Sequence, residues 1–378
     1  MIKKVFKFIG KTILALLALI AVIIVVGALF MNLSPEFGGT PTAQEIESFE
    51  KMEYYDDGSF QNLISTSMDM DFNSIVEMIG EQIEGVPNSD PDFDVPQSKV
   101  DSLNLVNTKS INKIIWFGHS AILMQLNGKT ILFDPMLGDV PAPHPLLGPS
   151  RYYDELPIEI EKLPTIDIIF ISHDHYDHLD MGSIEKLASK TKEFYVPLGV
   201  GAHLKEWGIA EEKIHEMAWW DETTDDNLFI AFAPSRHFSG RGFSRNTTLW
   251  GSWIVKVDSQ SVYFGGDGGY GPHFKTIGEK YGPFDFAMLE CGQYNEKWSQ
   301  IHMMPEETAQ TGLDINTKVM MPIHWGSFTL ALHSWTDPVL RVKAKAEELN
   351  IPMTTPKIGE IIYMDEIKYP MDEWWVRK

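Results

Sequence analysis

The sequence predicts an α/β (α+β) domain, built of sheets packed together and covered by helices, behind one N-terminal transmembrane helix. Three observations carry this. Past Ile111, short apolar runs bounded by turn residues alternate with a few stretches of helical period. Asn127-Gly128, the preferred type I′ dipeptide, separates two of those runs as a hairpin. Ile13 to Phe30 is apolar and uncharged, and at ~1.5 Å per residue it spans ~27 Å, close to a ~30 Å hydrocarbon core. With 44% hydrophobic residues in 378, the chain can bury a full core. The net charge of −22 has the wrong sign for tracking a nucleic-acid backbone, so no nucleic-acid partner is expected. The single cysteine, Cys291, excludes a disulfide framework and any site of several thiolates.

Taken in order, residues 1–33 read as the anchor. Lys3, Lys4, Lys7 and Lys11 precede the apolar run and no Lys or Arg follows until Lys51, which puts the N-terminus in the cytoplasm and the rest outside. The alternative is a cleaved signal peptide, against which stand the length of the run and the lack of an A-x-A site. Residues 34–110 are acidic and Pro-punctuated, a linker or N-terminal wrap with one short amphipathic helix in "DFNSIVEMIGEQIEGV". Residues 111–378 hold the sheet-bearing domain. Strands are expected at Ala121 to Leu126, Lys129 to Phe133, "DIIFIS", "FYVP", "LFIAFAP", "WIVKV", "SVYFGG", "DFAMLE" and "KVMMPI". Helices are expected at "MGSIEKLASK", at "PEETAQTGL" with Pro305 at its first position, and at "PVLRVKAKAEEL".

Chemistry concentrates where strands end. Directly after "DIIFIS" come His173, Asp174, His175, Tyr176, Asp177 and His178. In a tight loop His173 and His175 can serve one point and Asp177 and His178 a neighbouring one, which is half of a two-metal site. Without clustered thiolates, the ligands must be imidazole and carboxylate. His237, Asp267 and His324 each follow a later apolar strand. Each alone is an ordinary hydrogen-bonding residue at a strand end; their order behind the first cluster gives the set its weight. Two divalent ions sharing a bridging water would lower its pKa, supply hydroxide as nucleophile and neutralise charge on the attacked group.

The run "HDHYDH", a lone His, an Asp in a Gly-rich turn and a final His resemble the metallo-β-lactamase superfamily. The strings "FGHSAILMQLNGKTILFDP", "ISHDHYDHLD", "RHFSGRG", "LWGSW", "GGDGGYGPHF", "GPFDFAMLECGQY" and "PIHWGSF" resemble more closely its N-acylphosphatidylethanolamine-hydrolysing phospholipase D branch and bacterial relatives. The resemblance runs from about Phe37 to Asn350 and implies a four-layer αββα sandwich with a two-metal site at one edge. Carried over by position, His173, His175 and His237 hold one metal, Asp177, His178 and His324 the other, and Asp267 bridges them. Two divalent ions are implied, zinc by the ligand chemistry, with iron and manganese also compatible. Asp177 or Asp267 would orient the hydroxide. His119 and Asp134 match positions that support ligands. His302 matches a histidine of the branch, as a proton donor or substrate contact against a plain surface residue. Arg241 matches an arginine of the branch, as a phosphate contact or a structural ion pair, and Arg245 is a weaker form of the same idea. His273 and His333 are left outside the site, and Cys291 reads as a small core residue.

The resemblance implies a membrane-tethered hydrolase, most concretely a phospholipase D-type phosphodiesterase on N-acylphosphatidylethanolamine-like lipids. Lactone, acyl ester or amide hydrolysis by the same hydroxide is the alternative, and a non-enzymatic metal-stabilised binding or envelope-assembly module a third. Where the branch has Thr-Gly-Tyr after the bridging aspartate, this chain has Gly268-Gly269-Tyr270, a departure that bears on lipid specificity. The expected partners are a membrane lipid as substrate and the bilayer around the anchor. The oligomeric state is not legible.

Overall fold

The computed structural model describes residues 2–68, 71–365 and 368–377. Helix α1 (Ile2–Leu33) stands clear of the rest of the protein over most of its length. Among the described residues it is the one helix long and apolar enough to cross a membrane. Helix α2 (Ala43–Phe49) opens on a capping box. Glu45 N donates to Thr42 Oγ1 at 3.3 Å, and Thr42 N donates to the Glu45 carboxylate at 2.6 Å. A small hairpin follows, β1 (Tyr55–Asp56) and β2 (Ser59–Phe60), then α3 (Phe72–Glu84) and α4 (Ser102–Asn107). Phe49, Phe60, Val95 and Leu105 are buried in the cores of the domain, so this acidic stretch is wound onto it.

The first sheet contains β3 (Lys113–Trp116), β4 (Ile122–Leu126), β5 (Lys129–Phe133), β6 (Ile166–Phe170), β7 (Thr191–Pro197) and β8 (Ile214–Met217) in that order, with β15 (Ile361–Tyr363) beyond β3. Neighbours from β15 to β5 are antiparallel and those from β5 to β8 parallel. Asn127 and Gly128 take positive φ of 46° and 75° in the β4–β5 turn, as the hairpin reading required. The second sheet runs β14 (Met320–Ile323), β13 (Phe286–Glu290), β12 (Gln260–Phe264), β11 (Ser252–Val257), β10 (Leu228–Ala233), β9 (Glu222–Asp225).

The central strands are apolar on both faces because both are covered. Ile114, Trp116, Ile122, Met124, Ile131, Phe133, Ile168 and Phe170 face the second sheet. The alternate residues Ile115, Leu123, Leu132 and Ile169 meet Ile184 and Leu187 of α5 (Met181–Ala188) and Leu204 of α6 (Gly201–Glu206). Between the sheets Phe133 stacks on Phe264 at 4.8 Å and Phe170 lies 4.9 Å from Trp253. Helices α7 (His273–Tyr281), α8 (Pro305–Asp314) and α9 (Asp337–Leu349) cover the other face of the second sheet through Ile277, Ala309, Val339 and Val342. These are the four layers of an αββα sandwich. Strands β3, β5 and β6 share one direction, as do β10, β12, β13 and β14, and the residues that follow their C-terminal ends meet at one edge.

Candidate metal centre

Ser172 to His178 form the loop after β6, Asp134 follows β5, His237 follows β10, Asp267 follows β12, and His324 follows β14. Backbone hydrogen bonds help clasp the two sheets at this edge. His119 N donates to Trp325 O at 3.0 Å and His324 N donates to His119 O at 2.9 Å. His119 (φ 51°), Asp134 (φ 39°) and His324 (φ 67°) all sit in the left-handed region, which non-glycine residues occupy at a cost and which here aims their side chains at one centre. Gly266 (φ 57°) has no alternative, since a β-carbon there would lie 2.6 Å from Ser172 Cβ.

Two groups of ligand atoms result. In the first, His175 Nδ1 lies 2.8 Å from His173 Nε2 and 3.2 Å from His237 Nε2. His119, Asp177, His178 and His324 form the second. Asp267 lies between them, with Oδ2 at 3.1 Å from His178 Nε2 and at 3.9 and 3.8 Å from the Nε2 atoms of His173 and His237, and Oδ1 at 3.2 Å from His324 Nδ1. The structure thus brings together all seven residues that the resemblance implied, with Asp267 in the bridging place.

The far nitrogens of the rings are tied down. His237 Nδ1–H donates to Ile301 O at 2.8 Å, which leaves its Nε2 lone pair facing the centre. His178 Nδ1 is 2.7 Å from Asp134 Oδ2, and the other Asp134 oxygen accepts from Ser172 N at 2.7 Å. His119 Nε2 is 2.9 Å from Asp177 Oδ2, so His119 and Asp134 each contact a candidate ligand. Burial holds His173, His237 and His324 well below the usual histidine range, in the neutral form that binds metal. Burial opposes a charge on Asp267 too, but His178 beside it outweighs that and holds the carboxyl well below the usual carboxylate range. His178 Nε2 and Asp267 Oδ1 are buried with no hydrogen-bond partner among the described residues. A buried imidazole nitrogen and a buried carboxylate oxygen left without hydrogen-bond partners, in the middle of these side chains, fit a site for a divalent cation.

Three groups were not found in the sequence. Glu290, at the end of β13, is buried; it accepts from Met303 N at 2.8 Å and lies 2.9 Å from His302 Nδ1. Its signal was an acid closing an otherwise apolar strand. Asp174, between two ligands, accepts from Gly240 N at 2.6 Å and Thr248 Oγ1 at 2.8 Å, tying the His175 loop to the His237 loop. Asn62, from the acidic wrap, donates to His237 O at 2.7 Å. His302 lies in the cleft over the centre with Met68, Phe238, Trp298, Ile301 and Leu330, a cavity of about 210 Å³. The expectation for Arg241 needs correction. It is buried, stacked 4.0 Å over Tyr176, and donates to the carbonyls of Glu36, Asp174 and Leu179 at 2.7–2.9 Å, so its donors are taken up by backbone, and it forms no ion pair among the described residues. Arg245 is exposed, 5.0 Å over the Phe238 ring at the cleft wall. His273 lines a separate cavity, His333 stacks on Tyr294 at 4.4 Å, and Cys291 is buried in the core.

The Beta-lactamase superfamily domain model matches residues 129–325. An uncharacterized protein of Mycobacterium tuberculosis is 38% identical over 334 residues, which is 85% of this chain and 89% of that protein. A Caenorhabditis elegans protein named N-acyl-phosphatidylethanolamine-hydrolyzing phospholipase D 1 is 32% identical over 247 residues, 62% of this chain and 68% of that one. The solved isothiocyanate hydrolase from Delia radicum gut bacteria shares the fold, with a TM-score of 0.54 at 20% identity over 66% of this chain and 98% of that one. On sequence and on architecture alike, the chain belongs to the metallo-β-lactamase superfamily of metal-dependent hydrolases.

Proposed function

We propose that the protein is a membrane-tethered phosphodiesterase of phospholipase D type, acting on N-acylphosphatidylethanolamine-like lipids outside the cytoplasm with two metal ions, zinc by preference. The observation that carries this reading is where the cleft sits. His175 lines it, and the neighbouring Tyr176 packs on Phe37 at 6.4 Å, which packs on Phe30 of α1 at 5.4 Å. A hydrolytic centre a few residues from the end of an apolar helix suits a substrate that lies in the bilayer. The apolar walls given by Met68, Phe238, Trp298, Ile301 and Leu330 suit an acyl chain, and the His and Asp floor suits a phosphodiester. The C. elegans relative's name is consistent with that class.

His173, His175 and His237 would hold one ion and Asp177, His178 and His324 the other, with Asp267 shared. When bound, the ions supply a nucleophile of lowered pKa and neutralise charge on the attacked group. Asp177, fixed by His119, is placed to accept a proton from the attacking water. His302 turns Nδ1 to Glu290, which leaves Nε2 for a leaving oxygen. Burial works against its charged form, but the adjacent Glu290 carboxylate outweighs that and raises it to about 9, a direction that suits a proton donor. Arg245 supplies the cation at the rim for the lipid phosphate.

Incubating the zinc-loaded full chain with N-acylphosphatidylethanolamine in heavy-oxygen water tests this. Attack at phosphorus puts the heavy atom into phosphatidic acid and none into the released N-acylethanolamine. Turnover of lactones or acyl esters with none of the phospholipid would overturn the reading.

A further inference from the structure

We propose that two loop tips, Leu146-Leu147 and Phe243, are seated in the bilayer beside the exit of α1, as a second membrane contact that sets the height of the metal cleft above the lipid. The proposal rests on α1 being a membrane span. These side chains are among the most open apolar ones in the domain, with Leu146 86%, Leu147 63% and Phe243 91% exposed. Both loops touch the last turn of α1. Phe30 packs on His144 at 6.3 Å, and a β-carbon built at Gly242 would lie 3.6 Å from the Met31 methyl and 3.9 Å from Phe37.

The apolar run ends at Phe30, so that residue lies at the boundary of the hydrocarbon. Side chains one to three positions from its contacts fall within the ~5–10 Å of depth that interfacial apolar groups occupy. Each loop is also held in place. Leu147 N donates to His144 O at 2.9 Å, Pro141, Pro143 and Pro145 stiffen the first tip, and the buried Arg241 brackets Glu36 to the second. Charge points the same way. In a chain of net charge −22, residues 140–148 carry no Asp or Glu, and residues 238–245 carry only Arg241 and Arg245. Apolar tips free of acid, with the exposed Arg245 beside the second, suit an interface with lipid.

The test uses the full chain in phosphatidylcholine nanodiscs containing nitroxide-labelled lipid. A small fluorophore is placed at Leu147→Cys, Phe243→Cys, Ile20→Cys in α1, or Ser259→Cys in the β11–β12 turn at the opposite end of the sheet. Cys291, fully buried, stays unlabelled. Quenching at 147 and 243 should exceed that at 259 by about threefold or more, as for groups at the interface. Equal quenching at 147, 243 and 259 with strong quenching at 20 would overturn the docking while leaving the span intact. No quenching at 20 would overturn the span and the proposal with it. Shielding of 147 and 243 from iodide in lipid-free detergent, rising with protein concentration, would assign the tips to a second copy of the chain and overturn the proposal too.

Discussion

Changing Arg241 to Ala separates a structural brace from a substrate cation. The guanidinium makes four hydrogen bonds to three carbonyls, two to Glu36 O at 2.9 and 2.7 Å and one each to Asp174 O at 2.8 Å and Leu179 O at 2.7 Å. It is 6% exposed and also stacks on Tyr176. Truncation leaves three carbonyls without their donor at about 1–3 kcal/mol each, which sums to roughly 3–9 kcal/mol. Entry of water and relaxation of the wrap reduce this to about 3–5 kcal/mol, the usual range for removing one partner from a buried polar network. Arg241→Lys should recover less than half, because one ammonium cannot reach carbonyls on three segments. Chemical denaturation of the full chain in detergent, followed by tryptophan fluorescence, reads the change as a shift in midpoint at constant slope. An unshifted midpoint together with a selective loss of phosphodiester turnover would refute this and restore Arg241 as a substrate contact.

Other expectations follow from the same geometry. Asp267→Ala should lower bound metal, measured by elemental analysis, below the content of the native chain, because no neighbour can supply the shared carboxylate; a native metal content would contradict the assignment. Glu290→Gln should cut kcat by roughly 10²–10⁴ with little change in KM, the range for losing a general acid, through its hold on His302. Burial, helped by Arg236, depresses His273 from 6.5 to about 3. The unfolded chain therefore binds a proton more than the folded one between those values, and stability should fall as pH drops from 6.5 towards 3. His273→Gln should flatten that slope in a denaturation series, and an unchanged slope would exclude this source. Phe170→Ala, which removes a ring packed against Phe133 and Trp253, should cost about 3–5 kcal/mol in the same assay.

How much of this molecule is legible in the sequence differs from element to element. The central strands are legible because both their faces are buried. Continuous apolar runs such as "DIIFIS" and "SVYFGG" have no other stable home, and their ends place the metal-binding residues at once. The first cluster of candidate ligands is equally legible, because three histidines in six residues beside a buried strand have little other use, while His237, Asp267 and His324 stand out only through the family resemblance. Strand β9, Glu222 to Asp225, is polar throughout and exists only because β10 offers an edge to pair with, from Glu222 opposite Ala231 to Asp225 opposite Leu228. Helix α7, from His273 to Tyr281, has its apolar residues too sparsely placed to stand out, and its burial of Phe274 and Ile277 is decided by the sheet beneath.

Tertiary structure alone decided the roles of side chains whose partners lie far along the chain. Arg241 looked like a cation for substrate because it follows His237 by four residues, but Glu36, 205 residues away, turns it into a brace. Glu290 looked like the last residue of a strand until folding buried it against His302. Sequence determines which residues must leave water and which can bind metal, since those follow from side-chain chemistry and local period. Which donor meets which acceptor across the molecule depends on where two sheets bring their ends together, and only the packed fold settles that.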